Sequence, residues 1–117
     1  MEKKYDYLDR LIAFAGDIIL MIGKLPKNLD GRYLFGQIMR SSGSAALNFG
    51  ETQGAGSDKD YINKARISLK ELRETEVNLR IMRHINYGGE QRDKLHEENI
   101  ELIKILVTII KNRQHKV

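Results

Sequence analysis

Gln37-Ile38-Met39-Arg40-Ser41-Ser42-Gly43-Ser44-Ala45-Ala46-Leu47-Asn48-Phe49-Gly50-Glu51 is the stretch whose reading decides the fold. Gln37, Ser41, Ser44, Asn48 and Glu51 recur at intervals of four and three, so they share one narrow helical face with Arg40 at its edge. Such a face normally buries apolar side chains. Buried polar groups need hydrogen-bond partners, so this seam is expected to meet a second polar surface. Ser68, Glu71 and Thr75, spaced on the next periodic segment, are the expected answer to Ser44, Asn48 and Glu51. Hydroxyls and an amide satisfy one another well and offer little reactivity, so the seam reads as a structural network that fixes helix register. Arg40 then neutralises Glu51 or Glu71. The competing reading is a ligand or nucleic-acid contact surface made of Gln37, Arg40, Asn48, Glu51, Ser68 and Glu71.

Outward from the seam, the same rhythm recurs in both directions. Leu8, Leu11, Ala15, Ile18, Ile22 and Leu25 step by three and four until Pro26 stops them, predicting a helix over about 5–24. The seam helix is expected over 30–53, with Asp30 as its N-cap and Gly54-Ala55-Gly56 as its break. Ser57 caps a third helix, over 58–86, with Asp58 and Asp60 in its dipole-favoured first turn and Gly88-Gly89 as its stop. Tyr61, Ala65, Ser68, Leu72, Thr75, Leu79 and Met82 form its inner face. Leu95, Asn99, Leu102, Leu106 and Ile109 pattern a fourth helix over 90–113.

Four helices with short joins predict an all-α, antiparallel up-down-up-down bundle in a single domain over 1–117. The composition agrees: the 117 residues include one proline and ten glycines, and 41% are hydrophobic, enough for one modest core. There are no cysteines, which excludes disulfides and thiolate metal sites and fits a reducing cytoplasm. Gly16 and Asp17 interrupt the apolar run Leu11 to Ile22, so neither a signal peptide nor a membrane span is expected.

More apolar surface is present than one four-helix core requires. Gly36, Gly43 and Gly50 line up at intervals of seven away from the polar seam, with Phe35, Met39 and Leu47 nearby, and Ile67, Ile81 and Ile85 stripe the third helix outside its inner face. Helix-interior glycines cost about 1 kcal/mol each relative to alanine. Self-association is the reading that accounts for both features.

On the second and third helices the chain resembles a known family, the four-helix-bundle proteins first associated with intervening sequences in bacterial 23S ribosomal RNA genes. The residues that carry the resemblance are Leu34-x-x-Gln37-Ile38-x-Arg40-Ser41-x-x-Ser44-x-x-x-Asn48-Phe49-Gly50-Glu51, then Lys59-Asp60-Tyr61, then Ala65-x-x-Ser68-x-x-Glu71-Leu72. That family usually reads Asn-Ile-Ala-Glu-Gly where this chain has Asn48-Phe49-Gly50-Glu51-Thr52, so the helix end is expected to move toward Gly54. The resemblance implies a bundle that closes into a ring, a homopentamer, with no established enzymatic activity. Similar proteins serve as accessory factors of diversity-generating retroelements, which implies RNA or DNA as partner.

The net charge of +4, from 20 basic and 16 acidic residues, is spread along the chain and by itself argues little for nucleic acid. The candidate nucleic-acid contacts are Arg66, Lys70, Arg73 and Arg80 on the third helix, and Lys111, Arg113 and Lys116 at the C-terminus. Glu74 and Glu76 dilute the first group. In an oligomer such a stripe is repeated, so several weak phosphate contacts add.

Catalytic signatures are missing. Di-metal carboxylate bundles need two Glu-x-x-His pairs, and here Asp93-x-x-His96 is the one loose approximation, because Ile81 and Asn112 precede His84 and His115. Ser41 and Ser44 have no histidine in their segment. Gly54-Ala55-Gly56-Ser57 lacks the Gly-Lys-Ser/Thr ending of a phosphate loop, and Asp58 and Asp60 would repel phosphate. The expectation is a non-enzymatic cytoplasmic homo-oligomer with no cofactor, metal, membrane or small-molecule substrate, binding RNA or DNA weakly and without sequence preference. The alternative is a protein-interaction or structural module with no nucleic-acid role.

Overall fold

The computed structural model describes residues 6–115, apart from the side chain of Asp30, and they form four α-helices: α1 (Tyr7–Gly23), α2 (Leu29–Gly50), α3 (Asp58–His84) and α4 (Gly89–Gln114). No strand occurs among the described residues. Each start has a local cause. Asp6 accepts from the Leu8 amide at 3.0 Å, Asn28 from Gly31 at 3.1 Å, and Ser57 from Asp60 at 3.0 Å, each satisfying an amide that has no partner within the helix. The α2 cap is therefore Asn28 and the helix opens at Leu29, one residue before the expected start. Tyr5, the expected start of α1, lies outside the described residues.

Two helix ends depart from expectation. The α-helical part of α2 stops at Gly50 and tightens into a 3₁₀ helix over Glu51–Gly54, where the buried Thr52 hydroxyl bonds back to the Phe49 carbonyl at 2.6 Å. Helix α3 ends at His84 rather than at the glycine pair. Asn86 adopts φ +63°, and the Tyr87 and Asn86 amides donate to Met82 and Arg83 carbonyls at 2.9 and 3.0 Å, the two bonds of a Schellman stop. Gly88, at φ +94°, instead opens α4, and a Cβ there would lie 2.7 Å from that of Arg92.

The periodic residues meet inside. Leu11, Phe14, Ile18 and Met21 of α1, Ile38 and Phe49 of α2, Leu72, Leu79 and Met82 of α3, and Leu102 and Leu106 of α4 form one buried cluster. Each large side chain so buried contributes about 1.5–3 kcal/mol. Packing links α1 to α2, α2 to α3, α3 to α4, and α4 to α1. Specific bonds cross three of these contacts. The Tyr7 hydroxyl donates to the Leu102 carbonyl at 2.7 Å and Arg10 pairs with Glu98, Ser41 meets Thr75, and Arg83 reaches Asp93 at 3.1 Å while Arg113 reaches Asp58 at 2.8 Å.

Candidate nucleic-acid interface

The polar seam between α2 and α3 closes on itself and on the backbone. The Thr75 hydroxyl donates to the Glu71 carbonyl at 2.9 Å, which leaves its oxygen to accept from Ser41 at 2.7 Å. The Ser68 hydroxyl donates across the interface to the Ala45 carbonyl at 2.7 Å. All three hydroxyl residues are fully buried. Asn48 bonds within its own helix, its amide reaching the carbonyl and hydroxyl of Ser44 at 2.9 and 3.0 Å.

Two seam residues stand elsewhere than expected. Glu51 is exposed at the first position of the 3₁₀ helix; its backbone N–H donates to the carbonyls at the end of α2, and its side chain has no hydrogen bond or ion pair among the described residues. Gln37 is half-buried and lines the groove described below. Arg40 does reach Glu71, at 3.3 Å, but its shorter contact is to Glu74 at 2.8 Å. The Glu74 hydrogen bond and the Glu71 charge raise the Arg40 pKa, and Arg40 in turn holds the Glu74 carboxyl below its ordinary value. Asn99 belongs to the same interior, and its appearance in the apolar rhythm of α4 was the signal for it. It is fully buried, and its amide donates to the Leu72 carbonyl at 3.3 Å while its Oδ1 has no partner among the described residues.

On the opposite side of α3, a groove of about 730 Å³ runs over Leu69 and Val77 and is edged by Arg66, Lys70 and Arg73, with Gln37, Glu74 and Asn78 completing it. The four candidate cations of α3, Arg66, Lys70, Arg73 and Arg80, are all exposed. Lys70 has one loose carboxylate contact, 3.5 Å to Glu74, and Arg66, Arg73 and Arg80 have no ion pair among the described residues. Because Arg40 holds Glu74 at the shorter distance, the acid weakens the row less than its sequence position suggests.

The C-terminal cations are not part of this row. Arg113 pairs with Asp58 and lies 3.7 Å over the Tyr61 ring, tying the end of α4 to the start of α3. Lys111 is exposed, and Lys116 lies outside the described residues. Asp93 is engaged by Arg83 and Arg92, and His96 faces Glu76 at 3.1 Å. Among the described residues no three His, Asp or Glu side chains gather as a metal site would require. No helix among them is long and apolar enough to cross a membrane.

Comparison with known proteins identifies the family. The family described as 23S rRNA-intervening sequence protein matches residues 3–108. The chain belongs to that family. A solved protein of unknown function from the S23 ribosomal protein family of Bacteroides thetaiotaomicron VPI-5482 is 33% identical to this member, with a TM-score of 0.82 over 91% of this chain and 99% of that one. No curated protein matches it. Where this chain has Gly50-Glu51-Thr52, helical geometry continues as the 3₁₀ segment to Gly54.

Proposed function

We propose that this protein is a non-enzymatic, homo-oligomeric bundle that binds RNA or DNA weakly through the phosphate backbone, without sequence preference. The observation that carries the reading is the α3 row itself, in which Arg66, Arg73 and Arg80 are exposed without carboxylate partners among the described residues, Arg66 and Arg73 at the edge of a groove floored by Leu69 and Val77. Guanidinium groups contact phosphate oxygens well. Base stacking uses aromatic side chains, and the groove lining contains none, so the row offers backbone contact rather than base readout. The buried hydroxyls support a non-enzymatic reading, since Ser41, Ser68 and Thr75 are bonded to each other and to carbonyls.

The bonds between helices support an antiparallel up-down-up-down order. Residues 41 and 45 bond 75 and 68, and 83 and 113 bond 93 and 58, so positions rise in one helix as they fall in its neighbour. Assembly into a ring, pentameric as the family resemblance implies, would repeat the cation row around the particle, and the cytoplasm is the compartment proposed. Electrophoretic retardation of a labelled single-stranded RNA and a DNA of equal length tests the binding. We expect retardation that falls steeply with salt, by roughly 0.7 log units of affinity per log unit of salt for each single-strand phosphate contact. The triple variant Arg66→Ala, Lys70→Ala, Arg73→Ala is expected to flatten that slope. Absence of retardation at low salt refutes the reading.

A further inference from the structure

The line of cations on α3 extends beyond the residues that border the groove. Lys59 is exposed in the first turn of α3, seven residues before Arg66, so Lys59, Arg66, Arg73 and Arg80 recur at one heptad interval. Each heptad drifts by about 20° around the helix, which keeps them all on one side of it. From Lys59 to Arg80 the line runs about 32 Å at the rise of an α-helix. The acids of α3 are engaged elsewhere. Asp58 pairs with Arg113 at 2.8 Å, Asp60 with Lys64 at 3.1 Å, Glu71 and Glu74 with Arg40 at 3.3 and 2.8 Å, and Glu76 is bonded to His96 at 3.1 Å. Lys59, like the three arginines, has no ion pair among the described residues.

Beneath this line the surface is apolar. Leu69 and Val77 floor the groove beside Arg66 and Arg73, and Ile62 lies in a second hollow of about 360 Å³ lined by Lys59, Asn63, Arg66 and Gln114. Arg66 borders both hollows, which places them in succession along the helix.

Nucleic acids differ in how they would meet such a surface. Each strand of a B-form duplex winds once round the axis in about 34 Å, so a straight row of nearly that length meets a given strand only near a point of tangency, at roughly two phosphates. A duplex also keeps the faces of its bases stacked inside and offers nothing apolar to Leu69, Val77 and Ile62. A flexible single strand can follow the whole row, and its unpaired bases have faces that cover the floor without any reading of sequence.

We propose that the α3 line is a track for single-stranded nucleic acid, held by Lys59, Arg66, Arg73 and Arg80 in succession with its bases against Leu69, Val77 and Ile62, and that duplex is the weaker ligand. The proposal rests on the phosphate-backbone binding set out above, to which it adds Lys59 and a preference between strand forms.

The experiment is fluorescence anisotropy of one labelled DNA, single-stranded or annealed to its complement, titrated with the protein over a series of salt concentrations, with circular dichroism as the control for folding. The single strand is expected to bind more tightly than the duplex throughout. Lys59→Ala is expected to lower the single-strand slope of log affinity against log salt by about 0.7, and the affinity at about 0.1 M salt by about fivefold, the loss of one phosphate contact. Lys24→Ala removes the same charge from an exposed position just beyond α1 and is expected to leave that slope unchanged. Val77→Asn is expected to weaken single-strand binding at constant slope and to leave duplex binding as it was. Duplex bound as tightly as single strand, a slope lowered no more by Lys59→Ala than by Lys24→Ala, or Val77→Asn without effect overturns the track and leaves backbone binding standing. Failure of both DNA forms to bind at low salt overturns this proposal together with the reading beneath it.

Discussion

The seam makes an asymmetric prediction about two hydroxyls that touch each other. The Thr75 proton is directed to the Glu71 carbonyl at 2.9 Å, so Ser41 is the donor in the 2.7 Å Ser41–Thr75 contact. Thr75→Val keeps the shape and removes the acceptor, leaving Ser41 with only the Ile38 carbonyl at 3.4 Å, a long bond at best. A buried donor stranded in this way costs about 1–3 kcal/mol. Ser41→Ala leaves Thr75 still donating to Glu71, so only an acceptor site goes unfilled, and the loss is that of a single net hydrogen bond, about 0.5–1.5 kcal/mol. The double variant strands neither group. Its cost is expected to be less than the sum of the two single changes, by about 1 kcal/mol of coupling. Urea unfolding of all four proteins at one protomer concentration measures this, since assembly makes stability concentration-dependent. Ser41→Ala costing more than Thr75→Val, or strictly additive losses, refutes the assigned direction of donation.

Two further outcomes follow from the interior and the rim of the same interface. Asn99→Leu removes the one buried side-chain oxygen without a partner among the described residues, at the cost of a 3.3 Å bond to Leu72, so urea stability is expected to hold or to rise by about 1 kcal/mol; a loss above about 2 kcal/mol would mean that Asn99 Oδ1 has a bonded donor. Glu74 has its folded-state pKa lowered chiefly by the Arg40 hydrogen bond, so its contribution to stability is complete above the ordinary carboxylate range of about pH 4 and is lost as pH falls through the lower folded value. Arg40→Ala is expected to move the Glu74 carboxyl titration, followed by NMR, back up toward that range, and an unmoved titration contradicts the pairing.

Faces were legible in the sequence and registers were not. Intervals of three and four located the buried sides of all four helices because helical periodicity fixes direction around an axis. They carry no information about how far one helix slides along another. Ser44, Asn48 and Glu51 were therefore expected against Ser68, Glu71 and Thr75, whereas Ser41 lies against Thr75 and Ala45 against Ser68. Glu51 departs for a different reason. Eleven residues beyond Arg40, at about 100° per residue, it returns to within about 20° of that exposed residue, so the outer edge of the seam faces solvent there. Asn86 and Gly88 were misassigned because asparagine can supply the left-handed stop that is more often glycine's, leaving Gly88 to begin α4. The α3 cations were visible in sequence, but which of them lack carboxylates was not, because Arg40 and Arg113 find their acids across helix contacts 31 to 55 residues away.

That distribution of partners connects the seam to the proposed interface. Ser68 and Thr75 lie on one side of α3, and Arg66, Lys70 and Arg73 fall on the opposite side by helical spacing. Rotation of α3 about its axis would therefore turn the cations toward α2 or α4 as it broke the hydroxyl bonds. The Ser68–Ala45 bond opposes such rotation through a backbone carbonyl, which cannot follow the side chain, and Ser41–Thr75 opposes it two turns further along. Arg40 adds an outer tie through Glu71 and Glu74, and in doing so keeps Glu74 from pairing closely with Lys70. The seam needs no chemistry of its own to matter for function. By holding α3 in one rotational setting it keeps three cations at the edge of one groove, where weak phosphate contacts gain from a fixed spacing.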